Sequence, residues 1–367
     1  MRKVKRQVDC GGVPIGGGAP LTIQSMTNTH TADVASTMRQ IDRLTEAGCE
    51  IIRLAVPDMD AALALKEIKR QARIPVVADI HFDHRLALAA MESGVDKIRI
   101  NPGNIGSIEA VRKVVDLAKV RGIPIRVGVN SGSLEKDILA RDGGVTAQGL
   151  ADSALRNVRL LEDLDFEDIV ISLKSSNVKM NDEAYRIVDQ ACDYPLHIGV
   201  TEAGTPARGR TKSAAGIGAL LLAGIGDTMR VSLTADPVEE VIFARELLDV
   251  LDIRKSGIEI VSCPTCGRTE VDLESVIARA EQKLEPLKRA FDLHGSGAHM
   301  KIAIMGCVVN GPGEAKEADI GVACGRGKGV LITGGEVLRQ VPEEDIPAEL
   351  VRLAEEYAEN TYGIHTI

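Results

Sequence analysis

The residues that point most directly to chemistry lie in the C-terminal third of the chain. Cys263 and Cys266 form a Cys-x-x-Cys pair, and Cys307 follows within a run that ends at Glu314, Gly-Cys-Val-Val-Asn-Gly-Pro-Gly-Glu. Three thiolates and one carboxylate are what an iron-sulfur cluster with one weakly held iron would need. The first chemistry that this sequence indicates is therefore that of a metal cluster.

The Cys-x-x-Cys spacing by itself also serves structural zinc sites and redox thiol pairs. A zinc ribbon would add a second Cys-x-x-Cys or a histidine pair at short spacing. Here, Cys307 is the only later cysteine that lies in a loop suited to a metal ligand. A thioredoxin-like pair opens a helix after a strand, whereas this pair is followed by Gly267 and Arg268. These features favour iron-sulfur, with structural zinc and unpaired or redox thiols as the alternatives.

A second group of chemically capable residues precedes the cysteines, each at or just after the end of a short β-branched run. They are Arg53, His81, Arg99, Asn101, Arg126, Asn130, Lys174, Glu202, Arg230 and Ser232. In a chain of formal net charge -9, such a concentration of cations indicates an anionic ligand. Guanidinium groups match phosphate oxygens well. The inferred ligand is a diphosphate or two phosphates.

These residues also have other interpretations. Charges at strand ends often form ion pairs with no function beyond structure. Lys174 could form a Schiff base in an aldolase-like barrel, and His81 could be a metal ligand. Glu202 is either a proton donor or an arginine partner. Because Arg53 and Arg99 are flanked by apolar residues, burying them without a partner would be costly, which favours the anion site.

Short strands alternate with amphipathic helices along this part of the chain, a rhythm typical of βα units. The predicted strands span 21–24, 51–54, 76–78, 97–100, 125–129, 169–173, 196–200 and 228–232. The predicted helices span 34–47, 61–71, 111–120, 150–164, 181–192, 212–223 and 238–251. Eight strands with crossovers predict a TIM (β/α)8 barrel, in which strand-end residues meet at one mouth. The alternative is an open doubly wound sheet, which the lack of a Gly-x-Gly-x-x-Gly after the first strand disfavours.

Length and composition frame these predictions. The 367 residues suffice for two domains, predicted as a barrel over 1–255 and a smaller α+β iron-sulfur domain over 256–367. The acidic balance argues against nucleic acid or an anionic membrane as a partner. No apolar run is long enough to span a bilayer, and seven cysteines at irregular spacings do not form a disulfide framework. We therefore expect a cytoplasmic protein.

Several motifs together resemble the bacterial two-domain form of the 4-hydroxy-3-methylbut-2-enyl diphosphate synthase family. They include Ile-Ile-Arg-Leu-Ala-Val-Pro around Arg53, Val-Ala-Asp-Ile-His-Phe around His81, Lys-Ile-Arg-Ile-Asn-Pro-Gly-Asn around Arg99, Val-Gly-Val-Asn-Ser-Gly-Ser around Asn130, Gly-Val-Thr-Glu-Ala-Gly around Glu202, and both cysteine runs. The resemblance covers nearly the whole chain. It implies a reductive ring opening of 2-C-methyl-D-erythritol 2,4-cyclodiphosphate in the non-mevalonate isoprenoid pathway.

The resemblance also implies roles for individual residues. It makes Cys263, Cys266, Cys307 and Glu314 the ligands of a 4Fe-4S cluster. Diphosphate binding falls to Arg53, His81, Arg99, Arg126 and Lys174, helped by Asn101, Asn130, Arg230 and Ser232. Glu202 becomes the proton donor. A hard carboxylate oxygen leaves iron more easily than a thiolate does, which suits a site that a substrate oxygen must enter.

The remaining implications concern partners. Because the sequence contains no flavin or nicotinamide site, electrons must come from outside, and the family points to flavodoxin or ferredoxin. The family also implies a homodimer in which the cluster domain of one subunit caps the barrel of the other. Cys324 lies outside the motif positions and is not expected to be a ligand, while Cys10, Cys49 and Cys192 are interpreted as packed thiols.

Overall fold

The computed structural model describes residues 2–294 and 297–366. The chain divides into two compact units, Met1–Leu247 and Leu248–Ile367. Part of the first unit is an antiparallel hairpin of β1 (Gln7–Cys10) and β2 (Val13–Gly16). Within the described residues, the same unit holds eight parallel strands that alternate with helices. The predicted βα rhythm is therefore confirmed.

The parallel strands all lie close to their predicted positions. They are β3 (Thr22–Met26), β4 (Ile51–Ala55), β5 (Val76–Asp79), β6 (Lys97–Ile100), β7 (Ile125–Asn130), β8 (Ile169–Lys174), β9 (His197–Gly199) and β10 (Thr228–Arg230). Hydrogen bonding joins them in the order β8-β7-β6-β5-β4-β3-β10-β9. An isolated parallel bridge between Ile171 and Leu196 then joins the two ends of this order. The sheet closes on itself as a barrel, so the open-sheet alternative is wrong.

The helices of the first unit follow their strands with short connections. They are α1 (Val34–Glu46), α2 (Met59–Gln71), α3 (His84–Glu92), α4 (Ile108–Arg121), α5 (Lys136–Asp142), α6 (Ala147–Glu162), α7 (Val178–Ala191), α8 (Pro206–Leu222) and α9 (Pro237–Val250). Side-chain caps explain several starts: Asp58 accepts from the Ala61 amide at 2.8 Å, and Asn177 accepts from the Met180 amide at 3.1 Å. Such caps satisfy amide groups that the first turn leaves without a partner. The sequence prediction missed α3 and α5.

The amino ends of the barrel strands are covered by the N-terminal hairpin. Val8 and Ile15 of the hairpin are buried in one apolar cluster with Ile51, Val77 and Val170, which lie near the starts of their strands. The hairpin therefore closes one end of the barrel. The opposite end, where the strands finish, is the end that TIM barrels use for chemistry.

The second unit is an α+β layer structure, as predicted. Within its described residues, the sheet contains β11 (Gly257–Ser262), β12 (His299–Met305), β13 (Ile320–Gly325), β14 (Lys328–Thr333) and β15 (Glu336–Pro342) in that order. The pairs β11-β12 and β12-β13 are parallel, and the pairs β13-β14 and β14-β15 are antiparallel. The helices α10 (Leu273–His294) and α12 (Ile346–Tyr362) pack their apolar residues with the sheet in one core, and α11 (Gly311–Ala315) is a short helix before β13. No helix in the described ranges is long and apolar enough to cross a membrane.

Candidate active site

The predicted cations converge at the carboxyl end of the barrel. Arg53, Arg99, Arg126 and Lys174 are at most 9% exposed, although each carries a charged group. The other three, together with Arg230, act electrostatically on Lys174. Because every second residue of a strand faces the barrel interior, one face of each strand delivers a side chain to the same mouth. The sequence prediction that these cations meet is confirmed.

Asp79 is the carboxylate around which part of this mouth is organised. One of its oxygens lies 3.1 Å from a terminal nitrogen of Arg99, and the other lies 3.6 Å from Nε of Arg53. His81 Nε2 lies 3.7 Å from the same carboxylate and 3.1 Å from the Arg99 guanidinium. Burial alone would raise the pKa of Asp79, but Arg53, the bond to His81 and Arg99 outweigh it and hold the pKa well below its ordinary value. Asp79 is therefore a fixed anion.

Arg99 also makes a close backbone contact. Its guanidinium donates to the carbonyl oxygen of Gly128 at 3.2 Å. A Cβ atom at position 128 would lie only 2.2 Å from Arg99 Nε. Glycine at this position allows the guanidinium to approach the backbone of β7, since any larger residue would displace it.

A methionine sulfur joins two further arginines. Met26 Sδ accepts from Nε and a terminal nitrogen of Arg53 at 3.1 and 2.9 Å, and from Arg230 at 3.5 Å. Arg230 also donates to Glu240 at 3.2 and 3.4 Å, and the other Glu240 oxygen accepts from the Leu233 amide at 2.9 Å. Glu240, which is 4% exposed, thus fixes both Arg230 and the loop that begins with Val231.

Arg126 and Lys174 differ from the other cations because the protein does little to neutralise them. None of the three guanidinium nitrogens of Arg126 has a hydrogen-bond partner among the described residues, although the side chain is 1% exposed. Burial, then Arg53 and Arg99, lower the pKa of Arg126 well below its ordinary value. Burial, then the four neighbouring arginines, do the same to the pKa of Lys174. A buried donor set of this kind is costly unless an anion completes it.

The formal charges at the mouth do not balance. Among the described residues, five cations (Arg53, Arg99, Arg126, Lys174 and Arg230) stand against two buried carboxylates, Asp79 and Glu240. The excess matches the charge of a diphosphate, and the forked donors suit its oxygens. This imbalance makes a structural ion-pair network a poor explanation for the whole group.

The polar residues predicted to assist binding lie around the same mouth. Asn101 is 6% exposed, and its Oδ1 accepts from the Gly103 amide at 3.1 Å while its amide nitrogen has no partner within the described ranges. Asn130 ends β7 and is half-buried, and Ser232 follows β10 and is also half-buried. The side chain of His81 is 54% exposed. These four can add hydrogen bonds at the rim of an anion held by the cations.

Glu202 occupies an unusual position just beyond β9. Its backbone has φ of 50°, a left-handed conformation that costs energy for a residue with a side chain. The residue is exposed, and no hydrogen bond or ion pair holds its carboxylate among the described residues. A strained backbone just after a strand, carrying a carboxyl group that no described partner restrains, is consistent with a role of Glu202 in proton transfer.

The cysteines lie in the second unit, at the carboxyl ends of two adjacent parallel strands. Cys263 follows β11 and Cys307 follows β12. The Gly306 amide donates to Cys263 Sγ at 3.2 Å, and the Glu270 amide donates to the Gly306 carbonyl at 3.2 Å. The loop that carries Cys263 and Cys266 is thereby joined to the segment that carries Cys307.

Two of these thiols have environments that favour the thiolate. The backbone amides of Asn310, Val309 and Gly311 lower the pKa of Cys307. The backbone amide of Arg268, assisted by its charge, lowers the pKa of Cys266. Metal ligation requires deprotonated thiols, so both shifts suit ligands. By contrast, burial raises the pKa of Cys324 to about 12, which disfavours the thiolate that a metal ligand would need.

The predicted ligand set is not gathered into a metal site in this structure. No group of three or more histidine, cysteine, aspartate or glutamate side chains close enough to hold a metal is found within the ranges that the structure describes. Cys263 is half-buried, Cys266 exposed and Cys307 buried, while Glu314 is exposed on α11. The donor types and the lowered thiol pKa values fit an iron-sulfur cluster, and the assignment of the four ligands stays a prediction.

Sequence reasoning missed two residues of the mouth, Met26 and Glu240. Met26 ends β3, and the alternation of inward positions along that strand could have suggested it. Glu240 lies on α9, and its contact with Arg230 depends on how that helix returns to the barrel, for which the sequence offers no signal.

Comparison with known proteins covers nearly the whole chain. Residues 5–245 match the family model described as the GcpE TIM-barrel domain, and residues 259–356 match the GcpE protein C-terminal domain. A protein of Clostridium perfringens named 4-hydroxy-3-methylbut-2-en-1-yl diphosphate synthase (flavodoxin) is 56% identical over 354 residues, covering 96% of this chain and 99% of that protein. One of the same name from Fusobacterium nucleatum is 54% identical over 360 residues, covering 98% and 99%.

One solved structure resembles about two thirds of this chain. Dihydropteroate synthase from Stenotrophomonas maltophilia aligns with a TM-score of 0.50 at 15% identity, covering 67% of this chain and 97% of that one. At this identity the likeness concerns the fold and carries no information on the ligand.

Proposed function

The chain belongs to the GcpE family, and from this we propose that it catalyses the conversion of 2-C-methyl-D-erythritol 2,4-cyclodiphosphate to 4-hydroxy-3-methylbut-2-enyl diphosphate. The reaction opens the ring, takes up two electrons and two protons, and releases one water. The observation that carries the proposal is the excess of buried cations at the barrel mouth, above all the guanidinium of Arg126.

In this proposal the barrel binds the diphosphate. Arg126 supplies guanidinium nitrogens that have no hydrogen-bond partner among the described residues, Lys174 adds an ammonium group beside it, and Arg53, Arg99 and Arg230 add charge from fixed positions. His81, Asn101, Asn130 and Ser232 complete the contacts at the rim. Hydrogen-bond donors that are already oriented before the ligand arrives need little reorganisation. Their binding energy with the diphosphate can therefore position the reacting carbon.

The second unit would hold a 4Fe-4S cluster through Cys263, Cys266, Cys307 and Glu314. When bound, the cluster would pass two electrons, one at a time, from the external donor to the carbon that loses its oxygen. The chain's own contribution is to stabilise the thiolates, which the amides around Cys307 and Cys266 do. A carboxylate as the fourth ligand would hold its iron less tightly than a fourth thiolate would.

Glu202 is the proposed proton donor to the departing oxygen. Its exposed carboxyl lies on the loop after β9, and no hydrogen bond or ion pair in the described residues restrains it. A carboxyl group already bound to an arginine would be held as an anion and could not donate. Freedom from such a partner is therefore a requirement of the role.

We also propose a flavodoxin as the electron donor, with ferredoxin as the alternative, in the cytoplasm. The printed names of the relatives specify flavodoxin. The proposed assembly is a homodimer in which the cluster domain of one subunit covers the partner's barrel. Phe82, 75% exposed beside His81, and Val308 and Val309, 50% and 67% exposed beside Cys307, are apolar surfaces that such a contact would bury.

Mixed dimers test this assembly. A subunit with Cys307→Ser and a subunit with Arg126→Met are each inactive as homodimers if both residues are essential. In mixed dimers, one of the two composite sites retains both residues, so partial activity should return. Well-formed mixed dimers without activity would place the chemistry within a single chain.

The function itself is tested by electron paramagnetic resonance on anaerobically purified protein, with iron and sulfide assayed in parallel. We expect four irons and four sulfides per chain, a signal from the reduced cluster that changes when the cyclic diphosphate is added, and product formation with reduced flavodoxin. Zinc without iron or sulfide, persisting after anaerobic reconstitution, would return the cysteines to a structural role and leave the barrel as a phosphate-binding module.

A further inference from the structure

The barrel has a seam between β8 and β9. In the described residues, the backbone pairing between these strands consists of the bridge from Ile171 to Leu196, with the Ile171 amide donating to the Pro195 carbonyl at 2.9 Å. Every other neighbouring pair in the barrel forms a regular ladder. From the bridge toward the mouth, no further ladder joins the described residues of these two strands.

Two side chains of α7 fill this gap. The Tyr185 hydroxyl donates to the His197 carbonyl of β9 at 2.6 Å and accepts from the Leu173 amide of β8 at 3.1 Å. Asn181 lies four residues earlier, on the same face of the helix. Its amide nitrogen donates to the carbonyl of Gly199 at 3.3 Å, and its oxygen accepts from the amide of Ser175 at 3.0 Å.

Both residues are built into the interior. Tyr185 is fully buried and Asn181 is 1% exposed. Each bonds one backbone group of β8 or its end and one of β9, so the pair replaces the missing part of the ladder. Buried backbone amides and carbonyls need such partners, and their loss is costly.

Lys174 lies at the seam that these bonds cross. A Cβ atom at position 199 would be 3.1 Å from Lys174 Nζ and 2.7 Å from the Arg230 carbonyl. The lysine side chain therefore passes over Gly199, and the glycine leaves the space for it. The amides held by Tyr185 and Asn181, those of Leu173 and Ser175, flank Lys174 on both sides along β8.

From this arrangement we infer that Tyr185 and Asn181 are positioning residues, which fix the Lys174 ammonium relative to the strand end that leads to Glu202. The inference rests on the proposed function, because it assigns a task to Lys174. Neither residue touches the substrate. They act by holding two strand ends at the separation that the lysine needs, and a misplacement of about 1 Å in a site of this kind can cost a hundredfold in rate.

The test compares two tyrosines of the same barrel in the anaerobic holoenzyme. Tyr185→Phe removes one seam hydroxyl and keeps the ring. Tyr194→Phe is the matched control, because its hydroxyl bonds Glu162 at 2.9 Å near the start of β9, away from the mouth. We expect Tyr185→Phe to raise KM and lower kcat/KM about tenfold, and Tyr194→Phe to stay within about twofold of the parent, at equal iron content.

A double-mutant cycle separates positioning from a general loss of stability. In a Lys174→Met background, Tyr185→Phe should lower kcat/KM no further, because its effect passes through the lysine. Independent, multiplying losses would refute the inference. Asn181→Ala provides a second route to the same cycle if Tyr185→Phe folds poorly.

Binding of inorganic diphosphate, measured by calorimetry, tests the inference without relying on turnover. We expect Tyr185→Phe to weaken this binding about tenfold and Tyr194→Phe to leave it unchanged. Equal affinities in the two variants would overturn the inference even if the parent is active. A parent that binds diphosphate but fails to convert the cyclic substrate would overturn the proposed function, and the affinities of the two variants for diphosphate would still decide whether Tyr185 positions Lys174.

Discussion

Replacing Arg126 with methionine should stabilise the barrel and destroy its function. The guanidinium is buried, and none of its nitrogens has a hydrogen-bond partner among the described residues. Its charged neighbours include Arg53 and Arg99, which lower its pKa after burial, and Asp79, which opposes them. Methionine fills a similar volume without a charge. The substitution therefore removes a desolvated, self-repelling cation while retaining most of its packing.

The expected size follows from the cost of such groups. Replacing buried charges with apolar side chains of similar volume is neutral or stabilising, by up to about 4 kcal/mol. We expect an increase of about 2 kcal/mol in the unfolding free energy of the ligand-free barrel, which corresponds to a rise in Tm of about 4–8 °C for a domain of this size. Two lost charge-assisted hydrogen bonds to diphosphate, at about 1.5 kcal/mol each, should lower kcat/KM by more than a hundredfold.

Arg99→Met is the matched comparison, because Arg99 and Arg126 are register partners on adjacent strands. Arg99 is ion-paired with Asp79 at 3.1 Å and bonds the Gly128 carbonyl. Its removal leaves Asp79 with Arg53 at 3.6 Å and with His81. We therefore expect a loss of about 2 kcal/mol in stability. Both variants should lose activity, yet their effects on stability should have opposite signs.

Scanning calorimetry of the anaerobic protein, with and without the cyclic diphosphate, measures these effects. The substrate should raise the Tm of the parent and have little effect on either variant, since a ligand stabilises only the state that binds it. The reasoning would be refuted if Arg126→Met destabilised the barrel as much as Arg99→Met, or if it kept the parental kcat/KM.

Three further predictions concern protons and the cluster. Glu202→Gln should keep the KM of the parent and lose at least tenfold in kcat, as measured by steady-state kinetics; a parallel loss of affinity would make Glu202 a positioning group. Burial and the neighbouring arginines lower the pKa of Lys174 in the free protein, and a bound diphosphate should raise this pKa again. Diphosphate binding should therefore take up protons, and its affinity should fall as the pH rises through the lowered pKa. Calorimetry in two buffers of different ionisation enthalpy measures the protons exchanged, and proton release on binding would contradict this prediction. Glu314→Cys should keep iron and sulfide content while lowering turnover, and a variant with full turnover would remove the need for a weakly held ligand.

The repeating part of the fold could be read from the sequence because one physical pattern dominates it. Strands buried on both faces read as short β-branched runs, and each amphipathic helix buries one stripe against them. The helix α3 was missed because it is short and follows directly on the strand-end residues 79–83. The hairpin around Gly11 and Gly12 was missed although a two-glycine turn between alternating residues is a hairpin signal. Its partners, such as Val170, lie far along the chain, so its burial could not be foreseen.

The charged residues of the candidate site could be predicted from the sequence, but the residues that hold them in position could not. Cations at strand ends identify themselves because the topology of a parallel barrel brings all strand ends together. In the sequence, Asn181 and Tyr185 look like ordinary residues of an amphipathic helix. Their role in joining two strands depends on the incomplete pairing of β8 with β9. That pairing is a property of the closed barrel, and no local sequence pattern encodes it.

The hydrogen-bond acceptor between Arg53 and Arg230 is the sulfur of Met26, and this explains how the barrel mouth can be both ordered and strongly positive. Met26 offers a thioether, a weak and uncharged acceptor, at 2.9 to 3.5 Å from the two guanidinium groups. It can orient them without cancelling their charge. A carboxylate in the same place would reduce the formal excess of cations from three to two and would compete with the incoming phosphate oxygens. The pairing of each arginine with one carboxylate, Asp79 or Glu240, and with one shared sulfur thus holds the donors in place while leaving their charge for the ligand.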